Sequence, residues 1–172
     1  KLLLLDLDNY LEQSQSKSLS ILRKKLQDHS SNVDLQLGIL TGRSIQAARN
    51  RYEETKLPKP AVWICQAGTE IYYGDDNKTD IFWQDLITVD WNRKGVEKVL
   101  FDLKDYLKPQ SNDNQGSFKL SYLLKEPCEG ILPLVRKRIR MSGLSAMPHL
   151  KCHWYLDVVP LRASRAEAIR FL

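Results

Sequence analysis

Two aspartates one residue apart, Asp6 and Asp8, close an apolar run that begins at Leu2. Carboxylates this close repel each other, so a fold tolerates them at the end of a buried strand where a divalent cation or a phosphate offsets the charge. In extended chain, residues i and i+2 point the same way. A turn here would aim one carboxylate at a phosphorus atom and bring the other over the leaving group. An aspartate so placed can attack phosphorus and form an aspartyl-phosphate, with Mg²⁺ at Asp6 and Asp8 neutralising the charge that builds up. The plain alternative is a pair that merely opens a loop, because a lone D-x-D specifies little.

A second segment strengthens the first. Leu40-Thr41-Gly42-Arg43-Ser44 offers a hydroxyl, a glycine and, at Ser44, a natural N-cap for a helix over 45–55. Unpaired backbone N–H groups and the helix dipole make such a start an anion site. A turn capped by Ser44 with no ligand would look the same in isolation. Two such segments, each at the end of a buried strand, are harder to explain as accident.

These residues need elements to position them. Residues 1–7 read as a strand buried on both faces of a parallel sheet. A helix follows over 16–27, with Leu19, Leu22 and Leu26 at helical spacing. Strands over 35–40 and 61–65 flank the helix over 45–55, which Pro58 and Pro60 break. Strand-helix-strand-helix-strand predicts a doubly wound α/β fold that binds ligands at the carboxyl ends of its strands. All three ends are polar: Asp6 and Asp8, Thr41 to Ser44, and Gln66 to Glu70.

After Tyr73 the pattern changes. A turn-rich loop over 74–78 precedes a helix over 91–107 with Val96, Val99, Leu100, Leu103 and Leu107 on one face. A polar, mobile stretch over 109–116 leads to a strand over 118–124, a helix over 130–141, an extended segment over 143–150, a strand over 154–159 and a helix from Arg162. This predicts an α+β cap over 82–150, inserted into a core of residues 1–81 and 151–172. Lys119 and Ser121 share one face of the cap strand and offer a charge and a hydroxyl to a polyol, unless that face is a solvated edge. Trp83 and Trp91 could stack on sugar rings but read as core.

Composition bounds the rest. A chain of 172 residues, 42% hydrophobic and 27% charged, fits one domain or a core with an insert, with enough core to need no disulfide. The longest apolar run, Leu2 to Leu5, is a strand's length, so neither a membrane span nor a signal peptide is expected. Cys65, Cys128 and Cys152 form no C-x-x-C and read as buried thiols of a reducing, cytoplasmic compartment. The net charge of +5 and a pI near 9.1 raise the question of nucleic acid. Basic residues are nonetheless spread out. Their one run, Arg136 to Arg140, falls on a helix with Ile131, Val135 and Ile139 inside, so a solvated face is expected rather than a nucleic-acid site. Lys1 is not an initiator Met and Leu172 carries no helix stop, so both ends are expected to be cuts in a longer polypeptide.

Asp6-Leu7-Asp8-Asn9 and Thr41-Gly42-Arg43-Ser44 resemble the first two motifs of haloacid dehalogenase-like phosphatases. Gly68-Thr69-Glu70-Ile71-Tyr72-Tyr73, Trp83 with Trp91, Lys119-Leu120-Ser121-Tyr122, and Leu156-Asp157-Val158-Val159-Pro160 leading into Arg162-Ala163-Ser164-Arg165 narrow the resemblance. They look like sucrose-6-phosphate phosphatases and the similar C-terminal module of bacterial sucrose-phosphate synthases. The resemblance implies a haloacid dehalogenase-like core with an α+β cap, Asp6 as nucleophile, Asp8 as general acid/base, and Thr41 and Arg165 on the phosphoryl group. It further implies a substrate site from Gly42, Arg43, Ser44, Gln66, Gly68, Thr69, Glu70, Lys119, Ser121 and Tyr122, with sucrose 6-phosphate as ligand and Mg²⁺ as cofactor of an active form. Three features depart from the active pattern: Tyr10 replaces a small hydroxyl residue, Arg165 replaces a lysine, and the sequence stops before the acidic metal-binding motif. They favour the synthase-type module, a sucrose-phosphate-binding partner of a glycosyltransferase domain in the same polypeptide, with hydrolysis weak or lost. A working phosphatase and a purely structural module stay open.

Overall fold

The computed structural model describes residues 1–8, 17–29 and 35–172. Tyr10 lies outside the described residues, as does the side chain of Leu19. The first sheet runs β1 (Leu2–Asp6), β2 (Gln36–Leu40), β3 (Val62–Cys65) and β4 (Glu70–Tyr73) in that spatial order. The first three strands are parallel, with Asp6 beside Leu40 and Leu40 beside Ile64, so their carboxyl ends are level. The edge strand β4 turns back antiparallel to β3.

Helices cover both faces of this sheet. Helices α1 (Lys17–His29) and α2 (Ile45–Glu53) connect successive parallel strands and lie on one side, as right-handed crossovers in one direction require. Leu26, Ala48 and Tyr52 pack there on Leu37, Ile39, Trp63 and Cys65. Helices α3 (Ile81–Thr88) and α6 (Arg165–Phe171) lie opposite, where Trp83, Ile87 and Ala168 meet Val62, Ile64 and Ile71. Trp83 is core, as its sequence context suggests.

A second, antiparallel sheet has the order β5 (Leu107–Pro109), β6 (Leu120–Leu124), β8 (Tyr155–Pro160) and β7 (Ala146–Lys151). Its strands alternate. Leu120, Tyr122, Leu156 and Val158 face α4 (Arg93–Phe101) and α5 (Ile131–Met141), against Val96, Leu100, Ile131 and Val135. The opposite face, bearing Lys119, Ser121, Asp157 and Val159, turns toward the first sheet. The basic run lies on the outer side of α5, whose Ile131, Val135 and Ile139 are buried.

Several sequence expectations need correction. Leu2 and Leu3 are 40% and 36% exposed, so the start of β1 is less covered than a strand buried on both faces. Residues Tyr155–Pro160 were expected in the core but hydrogen-bond between β6 and β7, which carries the second sheet beyond residue 150. At the other boundary, α3 packs on the first sheet although it runs past residue 81 into the expected cap. The helix expected to reach 107 ends at Phe101, and Leu107 starts β5. Cys65 is buried, but Cys128 is only half-buried and Cys152 is exposed.

Leu100 and Phe101 are adjacent on α4, yet one is fully buried and the other 65% exposed. Leu100→Ala is expected to cost about 2–5 kcal/mol in urea unfolding, and Phe101→Ala no more than about 0.5 kcal/mol.

Candidate active site

The carboxyl ends of β1, β2 and β3 meet through backbone bonds. Thr41 N–H donates to the Ile64 carbonyl (2.9 Å), Gln66 N–H to the Arg43 carbonyl (2.9 Å) and Ala67 N–H to the Thr41 carbonyl (3.2 Å). The loop after β2 is thereby pinned to the turn after β3. That turn holds Gln66, Ala67 and Gly68 at φ of 51°, 63° and 99°, a left-handed path that only a glycine takes without strain. A Cβ on Gly68 would lie 2.4 Å from the Ser164 carbonyl carbon and 2.5 Å from the Arg165 nitrogen. Gly68 therefore lets the start of α6 approach closely enough to place Arg165.

Arg165 reaches the aspartates. Its Nη1 lies 2.7 Å from Asp6 Oδ2 and its Nη2 3.8 Å from Asp8 Oδ2. Asp6 Oδ1 accepts from the Asp8 N–H (3.1 Å), the local turn that sets the two carboxylates together. Asp8 is seated in the loop after β2: Oδ2 accepts from Gly42 N–H (2.8 Å) and Thr41 Oγ1 (3.1 Å), and Oδ1 from Arg43 Nε (2.9 Å). Burial alone would raise the Asp8 pKa, but the Gly42, Thr41 and Arg43 donors outweigh it and hold the group below the usual carboxylate range. Thr41 is fully buried, so its hydroxyl has a fixed aim. The anion donor in use is the Gly42 N–H. Ser44 caps α2 instead, accepting from the Ala47 N–H.

The second sheet roofs this floor. Lys119 Nζ, itself buried, donates to the Gly42 carbonyl (2.8 Å). Burial lowers the Lys119 pKa, and the neighbouring Asp157 only partly restores it. Asp157 is the hub of the roof: Oδ1 accepts from Ser121 Oγ (2.7 Å) and Oδ2 from Lys151 Nζ (2.8 Å). Burial raises the Asp157 pKa, yet Lys151 and Lys119 overcome this and leave it lowered. Beside the floor lies a cleft of about 760 Å³, lined among others by Ser44, Gln66, Glu70, Arg93 and Gln115. Gln66 Oε1 is buried there with no hydrogen-bond partner among the described residues. Burial raises the Glu70 pKa, partly offset by the Tyr72 hydroxyl and Lys119.

The structure thus gathers Asp6, Asp8, Thr41, Gly42, Arg43, Lys119 and Arg165, with Ser44, Gln66 and Glu70 along the adjoining cleft. It sets three expected residues apart. Gly68 and Thr69 shape the turn, Thr69 Oγ1 donating to the Gln66 carbonyl (3.0 Å). Tyr122 points to the opposite face of β6 and packs in the second sheet's core, because strand alternation separates it from Ser121. Sequence reasoning missed Asp157 and Lys151 as site residues. A carboxylate inside the apolar strand Tyr155–Pro160 was the available signal for Asp157; Lys151 carried none until its sheet neighbours were known.

Mg²⁺ takes hard oxygen donors and is commonly bound by one or two carboxylates, several waters and substrate phosphate. Asp6 and Asp8 fit such a water-rich site. Among the described residues no cluster of three or more His, Cys, Asp or Glu side chains is placed to hold an ion.

The fold is that of haloacid dehalogenase-like hydrolases. One from Bacillus subtilis superposes with a TM-score of 0.55 at 18% identity, covering 91% of this chain and 62% of that one. Within that class, the chain belongs to the sucrose-6F-phosphate phosphohydrolase family, which it matches over residues 1–172. The sucrose-phosphatase of Synechocystis sp. PCC6803, solved with sucrose and phosphate, superposes with a TM-score of 0.88 at 28% identity, covering 99% of this chain and 68% of that one. Sucrose-phosphatase 2 of Nicotiana tabacum is 28% identical over 170 residues, 97% of this chain and 40% of its own length. A probable sucrose-phosphate synthase of Craterostigma plantagineum is 22% identical over 134 residues, 64% of this chain and 12% of its own. The chain spans about two-fifths of the length of the curated sucrose-phosphatases it matches.

Gly68→Ala tests how Arg165 is placed. The added methyl meets backbone at a positive φ, so about 1–3 kcal/mol of stability is expected to be lost in urea unfolding. An unchanged midpoint would show that the turn and α6 are not locked together.

Proposed function

We propose that this domain binds sucrose 6-phosphate, with its phosphoryl group on the Thr41–Gly42 loop and its sugar in the adjoining cleft. The supporting observation is the Asp8 carboxylate itself. An oxyanion already sits on Thr41 Oγ1 and the Gly42 N–H, which demonstrates that these donors converge on one anionic oxygen. A phosphoryl oxygen arriving there would take both donors and free Asp8 toward the leaving group. Arg165 would bridge the phosphate to the floor, and Lys119 would hold the roof against Gly42 beside the sugar.

Hydrolysis by such a site would have an Asp6 oxygen attack phosphorus as the ester P–O bond breaks. Asp8, released from the Thr41 and Gly42 donors and protonated, would give its proton to the departing sugar oxygen. Water, giving a proton back to Asp8, would then cleave the aspartyl-phosphate to release phosphate and restore Asp6. Mg²⁺, when bound by Asp6 and Asp8, would offset charge on the phosphoryl oxygens. Asp6 is engaged by Arg165 and both Asp8 oxygens by the β2 loop, so the reacting groups must first be released. Arginine in place of a smaller point charge adds a planar fork with its own geometric demands. These features support weak or lost hydrolysis, in the manner of a phosphatase-like module beside a glycosyltransferase domain in a synthase-type polypeptide. The similarity to a sucrose-phosphate synthase is consistent with that placement. No helix among the described residues is long and apolar enough to cross a membrane. The second reading, a working sucrose-6-phosphate phosphatase, draws on the likeness to the tobacco and Synechocystis proteins.

Calorimetry with sucrose 6-phosphate, paired with a phosphate-release assay, tests the proposal. Binding at sub-millimolar ligand is expected, with most of the affinity lost in Arg165→Ala and turnover far below the roughly 10 s⁻¹ typical of enzymes. Turnover near that value would establish the working phosphatase. No heat of binding at millimolar ligand would leave a purely structural module.

A further inference from the structure

Gly42 has no side chain, and the space this leaves is ringed by charge. The point where a Cβ would stand is 3.5 Å from Lys151 Nζ, 3.7 Å from Asp8 Oδ2 and 4.0 Å from Arg165 Nη2. An atom there touches one cation from the floor and one from the roof, on the surface that carries the Gly42 N–H. Lys151 ends β7 and projects from the face of the second sheet that also bears Asp157 on β8, so it belongs to the roof.

The plain reading makes Lys151 no more than the counter-ion of Asp157, 2.8 Å away. Three observations argue for more. Lys151 is the strongest of Asp157's partners, yet on its departure Asp157 would keep the Ser121 hydroxyl at 2.7 Å and the charge of Lys119 close by. Asp157 is also the fixed partner, its side chain only 8% exposed against 40% for Lys151, so the ammonium is the end that can move. Arg43 and Arg165 already pair with Asp8 and Asp6, whereas Lys151 is tied to neither.

We propose that Lys151 is a phosphate-binding residue supplied by the roof, moving from Asp157 onto the phosphoryl oxygen that occupies the space above Gly42. The inference rests on the reading of the Thr41–Gly42 loop as a phosphate seat and adds to it a clamp from the second sheet. A phosphate monoester closes the roof by drawing Lys151 down; an uncharged sugar does not. Lys151 thus makes the site selective for the phosphorylated sugar over the free one.

The test is calorimetry of inorganic phosphate, sucrose 6-phosphate and sucrose with the wild type, Lys151→Met, Lys151→Arg and Arg165→Ala. Lys151→Met is expected to weaken both phosphate ligands by about tenfold, the worth of one charge-assisted hydrogen bond. Binding of sucrose should be unchanged, and Lys151→Arg should recover part of the loss. Should Lys151→Met bind the phosphate ligands as the wild type does, while Arg165→Ala loses them, Lys151 is a counter-ion only and the clamp is overturned. Should the wild type bind neither phosphate ligand, the phosphate seat itself falls and the clamp with it. Far-ultraviolet circular dichroism and the melting temperature of each variant separate these results from misfolding.

Discussion

Everything at this site turns on the backbone of Gly42. Its N–H holds Asp8 and its carbonyl receives Lys119, so one residue joins the floor of the site to its roof. A Cβ here would stand in the space between Lys151, Asp8 and Arg165, at ordinary contact distances of 3.5–4.0 Å. The loop is rigid for a further reason: backbone bonds tie it to β3 and the following turn, so the donors keep their aim with no ligand bound. Preorganised donors of this kind are worth more than flexible ones, because no ordering cost falls on the binding step.

Charge is arranged around this point in opposed layers. Asp6 and Asp8 lie on the floor with Arg43 and Arg165 against them; Asp157 lies in the roof with Lys119 and Lys151. A buried acid with no such partner would cost several kcal/mol in desolvation (roughly, and more in a dry interior). Each carboxylate is instead satisfied by named donors. In the proposed complex a phosphoryl oxygen would take the Thr41 and Gly42 donors from Asp8 and leave that carboxylate to Arg43.

Much of this was legible in the sequence because it is local. The apolar runs ending at Asp6, Leu40 and Cys65 gave the parallel strands, and Ser44 marked a helix start that the structure places at Ile45. Asp6, Asp8 and Thr41 stood out because polar groups at strand ends need a reason. What escaped was set by pairing between distant segments. Tyr155–Pro160 looks like a core strand, and only its partners β6 and β7 assign it to the second sheet. Tyr122 shares a motif with Lys119 and Ser121 but falls on the other side of the pleat. Gly68 read as a ligand-contacting residue, whereas its close contact is with the backbone of Ser164 and Arg165.

On the proposed reading the phosphate is gripped by groups of the chain itself, with Thr41, Gly42 and Arg165 foremost. Phosphorus-31 magnetic resonance of inorganic phosphate titrated with the protein in excess EDTA, and again after Mg²⁺ is restored, addresses it most directly. Saturable line broadening or a shift is expected in EDTA, with a dissociation constant that changes by less than about tenfold on adding Mg²⁺, or 1.4 kcal/mol. Binding seen only after Mg²⁺ is restored would contradict it.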